Sequence, residues 1–227
     1  MPLILNIETA TDICSVCIAR EEVILSVQEA KEAYSHAAVI TILIEACFKE
    51  AGLSLNDLDA VAISSGPGSY TALRVGAAAA KGICYALDKP LIAVNTLEAL
   101  AYAAQKDKGQ GLFYIPMIDA RRMEVYTAVY DQSINQIKKT HNLILDQDSL
   151  AEYFEQDGTL VFCGNGALKT KPLFESKNVL YSNVICAAQH LIPFSVKAFH
   201  NQIFSDIAYY SPSYFKAPNI TVSKKIL

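Results

Sequence analysis

Three mostly apolar runs follow one another along the first thirty residues. The segments 3–8, 13–20 and 23–29 are rich in β-branched residues and are joined by short polar turns. This pattern predicts three strands in an antiparallel meander. Cys14 and Cys17 form a C-x-x-C within the second strand, where positions i and i+3 point to opposite faces of a sheet. We therefore interpret them as two packed thiols and not as a redox or metal-binding pair.

The pattern becomes helical after residue 35. Residues 36–52 read HAAVITILIEACFKEAG, which predicts a helix that starts at Ser35 or His36 and is stopped by Gly52. Between residues 37 and 44 only Thr41 is polar, so apolar positions run around the whole helix. A helix of this kind is covered on more than one side.

A second apolar helix is predicted over residues 71–87. Its charges are Arg74 and Lys81, and the alanines and glycines between them would let another helix approach closely. We interpret the two helices as an interface with another chain; burial in the protein's own core is the alternative. The candidate contact residues are Ile40, Leu43, Cys47, Arg74, Val75, Ala78, Ala79 and Gly82.

A glycine-rich turn, Gly66-Pro67-Gly68-Ser69, joins the short strand 60–63 to the second helix. Such a turn before a helix can bind an anion. A Walker A motif would need a lysine after its glycine, and a dinucleotide fingerprint would need a third glycine where Thr71 stands. A tight turn with Ser69 as the helix N-cap is at least as well supported.

The rest of the chain predicts a second lobe. Residues 91–94 form a strand, Thr96 caps a helix from 97 to about 105, and the polar segment 105–111 separates two lobes. The fold class is α/β, with lobes at 1–106 and 112–216 and a tail at 217–227. The remaining predicted elements are strands 113–118, 124–130, 136–145 and 159–163, a short helix 149–155 and a helical stretch 183–205.

Composition narrows the function classes. Lysine and arginine number 19 against 23 aspartate and glutamate, a net charge of −4, which argues against a protein that binds nucleic acid by itself. We see no run of 18 apolar residues and no leader pattern, so we expect a cytoplasmic protein without membrane contact. The six cysteines lie mostly in apolar runs and are predicted to be reduced.

Catalytic motifs are sparse. The four histidines form neither a His-x-x-x-His nor a His-Glu-x-x-His pair, no Gly-x-Ser-x-Gly elbow is present, and we predict no catalytic residue and no metal site. Arg121 and Arg122 follow Asp119 at a strand end. They are candidates for contact with RNA or a partner, and a structural Arg–Asp pair is the commoner explanation.

Three segments carry a family resemblance: SGPGSYTALRVGAAAAKG (65–82), DARRMEVY (119–126) and PSYFK (212–216). They resemble the TsaB (YeaZ) family, the small subunit of the bacterial machinery that makes threonylcarbamoyladenosine on transfer RNA. The resemblance implies an actin-like, Hsp70-like ATPase fold, in which each of two α/β lobes is a ribonuclease-H-like unit with a mixed sheet flanked by helices.

The same resemblance implies a role. The chain would be a non-catalytic scaffold that binds TsaD as a heterodimer through a four-helix contact, in the modification of adenosine 37 of tRNAs reading ANN codons. TsaD holds a metal through a His-x-x-x-His pair, whereas here Ile40 stands four residues after His36. A TsaE-type ATPase would join the complex, tRNA would be reached indirectly, and ATP or ADP would bind at the subunit contact and not to this chain alone.

The sequence departs from the family pattern at several positions. Ala72 replaces a usual glycine, Met123 a usual small residue and Lys216 a usual arginine. The loop after Glu8 lacks the acid-then-glycine pattern with which actin-like ATPases hold phosphate. Two alternatives stay open: an actin-like ATPase or metalloprotease-type enzyme, and a homodimeric binding module that pairs the same apolar helices.

Overall fold

A computed structural model describes residues 1–30, 36–109, 111–175 and 177–216. These residues form two five-stranded sheets with helices packed against them. The predicted tail at 217–227 lies outside the described residues, as do the residues just before His36.

The first sheet contains strands β1 to β5 in the order β3-β2-β1-β4-β5. The three N-terminal strands pair antiparallel, which confirms the predicted meander, and β4 and β5 continue the sheet in parallel with β1. The strands are β1 (Leu3–Glu8), β2 (Cys14–Arg20), β3 (Val23–Ala30), β4 (Ala60–Ser64) and β5 (Leu91–Val94).

The second sheet repeats this topology. Its order is β8-β7-β6-β9-β10, again with an antiparallel meander followed by two parallel strands. The sequence shows no repeat, so the duplication is visible only in the structure. The strands are β6 (Phe113–Asp119), β7 (Glu124–Tyr130), β8 (Gln136–Ile144), β9 (Leu160–Cys163) and β10 (Val179–Tyr181).

Helices cover both faces of the first sheet. The α-helices of the described residues are α1 (His36–Ala51), α2 (Tyr70–Leu87), α3 (Thr96–Lys108), α4 (Ala151–Phe154), which packs with the second sheet, and α5 (Ile192–His200). The helices α1 and α2 pack on one face and α5 packs on the other. Helix α3 lies between the sheets, since Ala99 packs against the first and Leu100 and Ala104 pack against the second.

The two cysteines of the C-x-x-C lie on opposite faces of the first sheet. Cys14 packs under α1 and α2, whereas Cys17 packs on the side of α5. All six cysteines are buried free thiols, which confirms the interpretation of packed thiols. Burial raises the pKa of the Cys14 thiol to about 11, so it is protonated at neutral pH.

Three local predictions are corrected. Asn95, not Thr96, caps α3, because its side chain accepts from the backbone N–H groups of Leu97 and Glu98, at 2.9 and 3.1 Å. The stretch 183–205 holds a 3-10 turn, Ala188–Leu191, and then α5, whose first turn contains Pro193. Strand β10 was not predicted.

The chain returns to the first lobe at its C-terminal end. Residues 109–112 separate the two sheets in sequence, yet α5 packs on the first sheet. The segment 205–216, which we name the C-terminal strap, then runs along β5 and α2. The division into domains at 1–106 and 112–216 stays a prediction.

Candidate functional site

The helices α1 and α2 each bury one face on the first sheet. The inward residues of both helices join the strand residues in one apolar cluster, and the contributors are Ile40, Ile44, Cys47, Phe48, Ala77, Ala80 and Cys84. This burial anchors the helices side by side and fixes which of their faces point away from the sheet.

The two helices meet along a half-buried seam. Val39 and Leu43 of α1 lie against the same cluster as Val75, Ala79 and Ile83 of α2. At one end of the seam the helices and residues 53–55 line an apolar groove of about 530 Å³. The seam therefore belongs partly to the chain's own packing and partly to its surface.

An outer helical face remains exposed. We define it by Ile42 of α1 and by Arg74, Ala78, Gly82 and Tyr85 of α2. Ile42 is 61% exposed and Tyr85 is 85% exposed. The α2 residues are spaced by three or four positions, so they form one stripe along the helix.

The two glycines of α2 have different surroundings. A Cβ added to Gly76 would lie 2.4 Å from Oγ1 of Thr9, so the first sheet itself requires glycine there. A Cβ added to Gly82 would meet no atom within 4 Å. Nothing among the described residues accounts for Gly82, although glycine in a helix interior costs about 1 kcal/mol relative to alanine.

The predicted contact residues lie in three different places in the structure. Arg74, Ala78 and Gly82 lie on the outer helical face. Leu43, Val75 and Ala79 lie in the seam. Ile40 and Cys47 are only 3% and 0% exposed.

Ile40 and Cys47 are therefore removed from the predicted contact face, because they fill the chain's own core. Ile42 and Tyr85, which are exposed on the outer helical face, were not among the predicted contact residues. In α1 the apolar residues occur on every side of the helix, so the sequence gives no signal for its rotation. In α2 the spacing from Arg74 through Gly82 could have identified Tyr85 one turn later.

The glycine-rich turn serves the local fold. Ser69 is the N-cap of α2, and its backbone N–H donates to the carbonyl of Ala10 at 2.8 Å. Gly68 lies against the same residue, since an added Cβ would be 2.4 Å from the Ala10 oxygen. Gly66 has a φ of 99°, which favours glycine, and an added Cβ would be 2.8 Å from the carbonyl oxygen of Ser213.

The turn therefore has few free backbone N–H groups with which to bind a phosphate. Pro67 has no N–H, and the N–H of Ser69 is already bonded to the loop that follows β1. This arrangement supports the N-cap interpretation of the sequence. It does not fit the binding of a phosphate group by this turn alone.

A cleft of about 700 Å³ lies between the lobes beside the outer helical face. Its walls come from the loop after β1, the first turns of α1 and α2, the end of β6 and the C-terminal strap. The polar or charged lining residues include Thr11, Asp12, His36, Ser69, Asp119, Arg121, Asn165 and Lys216.

Arg121 and Arg122 lie in the turn after β6, with φ values of 75° and 43°. Both side chains are exposed. The Asp119 carboxylate accepts the backbone N–H of Arg121 at 2.6 Å and pairs with Nζ of Lys169 at 2.7 Å. Within the described ranges neither guanidinium forms an ion pair, so the predicted Arg–Asp pair is replaced by a Lys–Asp pair.

Two titratable side chains lie close to the cleft. Glu8 at the end of β1 is 1% exposed and accepts from the N–H of Ala10 at 2.6 Å, and its burial raises its pKa to about 7. His36, 6% exposed, lines the cleft, and its Nε2 has no hydrogen-bond partner among the described residues. Ile40 stands one turn after His36, where it cannot supply a metal ligand.

The part of the chain that the structure describes contains no group of three or more histidine, cysteine, aspartate or glutamate side chains placed to hold a metal ion. Over the same residues, none of the helices has both the length and the apolar character needed to cross a membrane.

Comparisons with known proteins agree with this geometry. The family model described as "TsaD: tRNA N6-adenosine threonylcarbamoyltransferase" matches residues 26–225. The tRNA threonylcarbamoyladenosine biosynthesis protein TsaB of Buchnera aphidicola subsp. Schizaphis graminum is 30% identical over 201 residues, covering 85% of this chain and 92% of the relative. The TsaB of Bacillus subtilis is 28% identical over 190 residues, covering 82% of this chain and 81% of the relative.

A solved structure gives the same fold. YeaZ from Pseudomonas aeruginosa superposes with a TM-score of 0.78 at 25% identity, covering 94% of this chain and all of that chain. The duplicated strand order and this likeness confirm the expected actin-like fold of two ribonuclease-H-like lobes. By its sequence, its fold and the match over residues 26–225, the chain belongs to the TsaB (YeaZ) family.

Proposed function

We propose that this chain is a non-catalytic subunit in the biosynthesis of threonylcarbamoyladenosine at position 37 of tRNAs that read ANN codons, and that it binds TsaD. The relatives are named for this pathway. The outer helical face is the observation that carries the proposal, because it exposes apolar and small side chains that the chain's own packing does not require.

The chemistry of the outer helical face suits a helical partner. Ala78 and Gly82 lie one turn apart and leave room for another helix to approach the backbone of α2 closely. Tyr85 and Arg74 flank them, and aromatic and arginine side chains are enriched among residues that dominate binding energies. Two helices of the partner laid on α1 and α2 would complete a four-helix contact.

The non-catalytic part of the proposal is supported at His36. A His-x-x-x-His metal pair needs a second histidine one helical turn later. The residue there is Ile40, which is buried against the first sheet. We therefore assign catalysis to the partner. This chain supplies a surface that holds the partner in its active conformation.

The proposal also includes tRNA, a nucleotide and a further protein subunit. With a net charge of −4 the chain has little attraction for tRNA by itself, so we propose that tRNA is bound through the complex in the cytoplasm. Because the cleft borders the first turns of α1 and α2, ATP or ADP at the subunit contact is part of the proposal. A TsaE-type ATPase is proposed as the further subunit.

The experiment is co-purification with TsaD. Ala78→Glu and Ile42→Glu each place a charge in the proposed contact, and we expect the affinity to fall by roughly 30-fold or more, because a charge buried without a partner costs about 2 kcal/mol at least. Ala151→Glu is the matched control, since Ala151 is an exposed helical alanine of the second lobe. Unchanged TsaD binding by both contact variants would refute the proposed interface.

Reconstitution tests the function itself. We expect tRNA modification by TsaD and its remaining partners to require this chain, and to be lost with Ala78→Glu but retained with Ala151→Glu. Light scattering of the isolated chain tests the homodimer alternative. The proposal is supported if the chain is a dimer, if Ala78→Glu makes it a monomer, and if added TsaD converts the homodimer into a heterodimer. ATP hydrolysis by the isolated chain would instead support the enzyme alternative.

A further inference from the structure

The C-terminal strap is attached to the first lobe along most of its length. Its first residue pairs with β5, as the N–H of Ser205 donates to the carbonyl of Leu91 at 2.8 Å. Lys81 of α2 donates to the carbonyls of Ala208 and Tyr210 at 3.3 and 3.2 Å. These contacts fix the path of the strap beside α2.

The strap then passes the glycine-rich turn. The N–H of Ser213 donates to the carbonyl of Ser65 at 2.7 Å, and the Ser213 carbonyl occupies the space where Gly66 would carry a side chain. The ring of Tyr214 lies on the ring of Tyr70, with centroids 4.7 Å apart. Aromatic contacts at this distance are favourable beyond the area they bury.

The last described residue of the strap reaches the second lobe. Lys216 pairs with the carboxylate of Glu124 on β7. The Glu124 side chain is 14% exposed and also accepts from Nδ2 of Asn142 at 2.9 Å, so it is held in place. Lys216, followed by Asn142, lowers the pKa of Glu124, which keeps that carboxylate charged.

The lobes are otherwise joined by α3, whose residues pack against both sheets, and by the segment 182–191, which carries the chain from β10 back to the first sheet. Because residues 188–191 pack beside α3, these two connections lie together and permit rotation about them, as in hinged proteins. The strap residues 213–216 line the cleft and add a connection at a separate place. A connection across the cleft, added to those at α3, restricts that rotation.

We infer that the C-terminal strap is an interlobe clasp, in which the Lys216–Glu124 ion pair, with Tyr214 in contact with Tyr70, holds the cleft between the lobes at one width. The inference goes beyond the proposed function, because it concerns the isolated chain and holds whether or not TsaD binds. It also assigns a physical role to the PSYFK segment at 212–216.

The experiment measures the distance between spin labels on the two lobes by pulsed electron resonance in the full-length chain. Glu22→Cys and Lys139→Cys place labels on exposed sites of the first and second lobes. The six native thiols are buried and would not react under mild labelling. Circular dichroism confirms that each variant is folded.

We expect a narrow distance distribution for the labelled parent chain. Lys216→Glu should widen the distribution by roughly twofold or shift its maximum, because like charges at positions 216 and 124 release the clasp. Lys216→Arg should keep the narrow distribution, since arginine retains the charge and reaches a carboxylate. Lys49→Glu, the same charge change on α1, should also leave it narrow.

Two results would overturn the inference. One is a distribution for Lys216→Glu that matches that of the parent chain. The other is a widening by Lys216→Glu that Lys49→Glu reproduces, because the effect would then follow from net charge. A parent distribution that is already as broad as that of Lys216→Glu counts as the first of these results.

Discussion

The two faces of helix α2 differ in whether their small residues are packed within the chain. On the inner face every small residue has a neighbour that explains its size: Gly76 meets Thr9, and Ala77 and Ala80 lie in the core under the helix. On the outer face Ala78 and Gly82 are exposed, and Gly82 has open space around it. Similar residues thus serve packing on one side and have no internal role on the other.

This difference shows how an interface can be inferred from one chain. A glycine in a helix lowers stability unless close packing compensates for it. At Gly76 the compensation lies within the chain, whereas at Gly82 no described residue supplies it. Since the neighbouring large residue Tyr85 is also exposed, we propose that a partner supplies the missing packing.

The largest effect is expected at Leu73, in the first turn of α2. Leu73 is fully buried, so Leu73→Ala should lower the free energy of unfolding by about 2–5 kcal/mol through the cavity it leaves. Tyr85→Ala, on the outer face, should change it by no more than about 0.5 kcal/mol. Urea denaturation measures both; equal losses would erase the distinction between the two faces.

The second-largest effect concerns Glu8 at the end of β1, next to Thr9, which contacts the inner face of α2. Glu8 precedes Thr9, and its pKa rises from 4.5 in the unfolded chain to about 7 in the folded protein. Because the folded form holds its proton more tightly, the Glu8 contribution to stability is greatest at low pH, decreases between 4.5 and about 7, and is constant above that range.

Glu8→Gln removes this titration. Relative to the parent chain, the variant should gain up to about 3 kcal/mol of unfolding free energy between roughly pH 5 and pH 8. Denaturation at a series of pH values measures the difference. A difference that does not vary with pH would show that the Glu8 carboxyl is not desolvated beneath the inner face.

The third effect is at Gly76. An added methyl group would be 2.4 Å from Oγ1 of Thr9, so Gly76→Ala should lower the unfolding free energy by about 1–3 kcal/mol despite the better helix propensity of alanine. The control is Gly76→Ala combined with Thr9→Ala, which removes the Oγ1 that the added methyl group would meet and should restore most of the lost stability. Thermal denaturation that shows a stabilised Gly76→Ala would contradict the packing described for this face.

The smallest effect is at Gly82 and has the opposite sign. Gly82→Ala should raise the unfolding free energy of the isolated chain by up to about 1 kcal/mol, because alanine favours the helix and meets no atom there. Urea denaturation of the isolated chain measures it. A loss of stability would mean that the outer face is packed within the chain.

Much of the fold could be predicted from the sequence. Runs rich in β-branched residues, joined by short polar turns, predicted the N-terminal meander. The many small residues of α2 predicted a helix that another element or another chain covers. The opposite placement of Cys14 and Cys17 followed from strand geometry alone. The cap of α3 was misplaced because Asn95 and Thr96 are both suitable cap residues. Their contacts distinguish them: Asn95 Oδ1 accepts from the N–H groups of Leu97 and Glu98, whereas Thr96 Oγ1 accepts from the N–H of Gly66.

Less of the candidate site could be predicted from the sequence. Because α1 is apolar on all sides, its rotation is set by packing against the sheet, which buries Ile40 and Cys47 and exposes Ile42. The strap was also hidden: Tyr214 and Lys216 are far in sequence from Tyr70 and Glu124. Such pairs arise from the path of the chain and have no local pattern.

The most direct test of the central claim measures the affinity of Gly82→Ala for TsaD by calorimetry. We predict that the variant binds roughly tenfold more weakly than the parent chain, because the added methyl group separates closely packed helices at a cost of about 1.4 kcal/mol. The same variant is the one that should be stabilised in isolation. Affinity equal to that of the parent chain would contradict the assignment of the outer helical face to the partner.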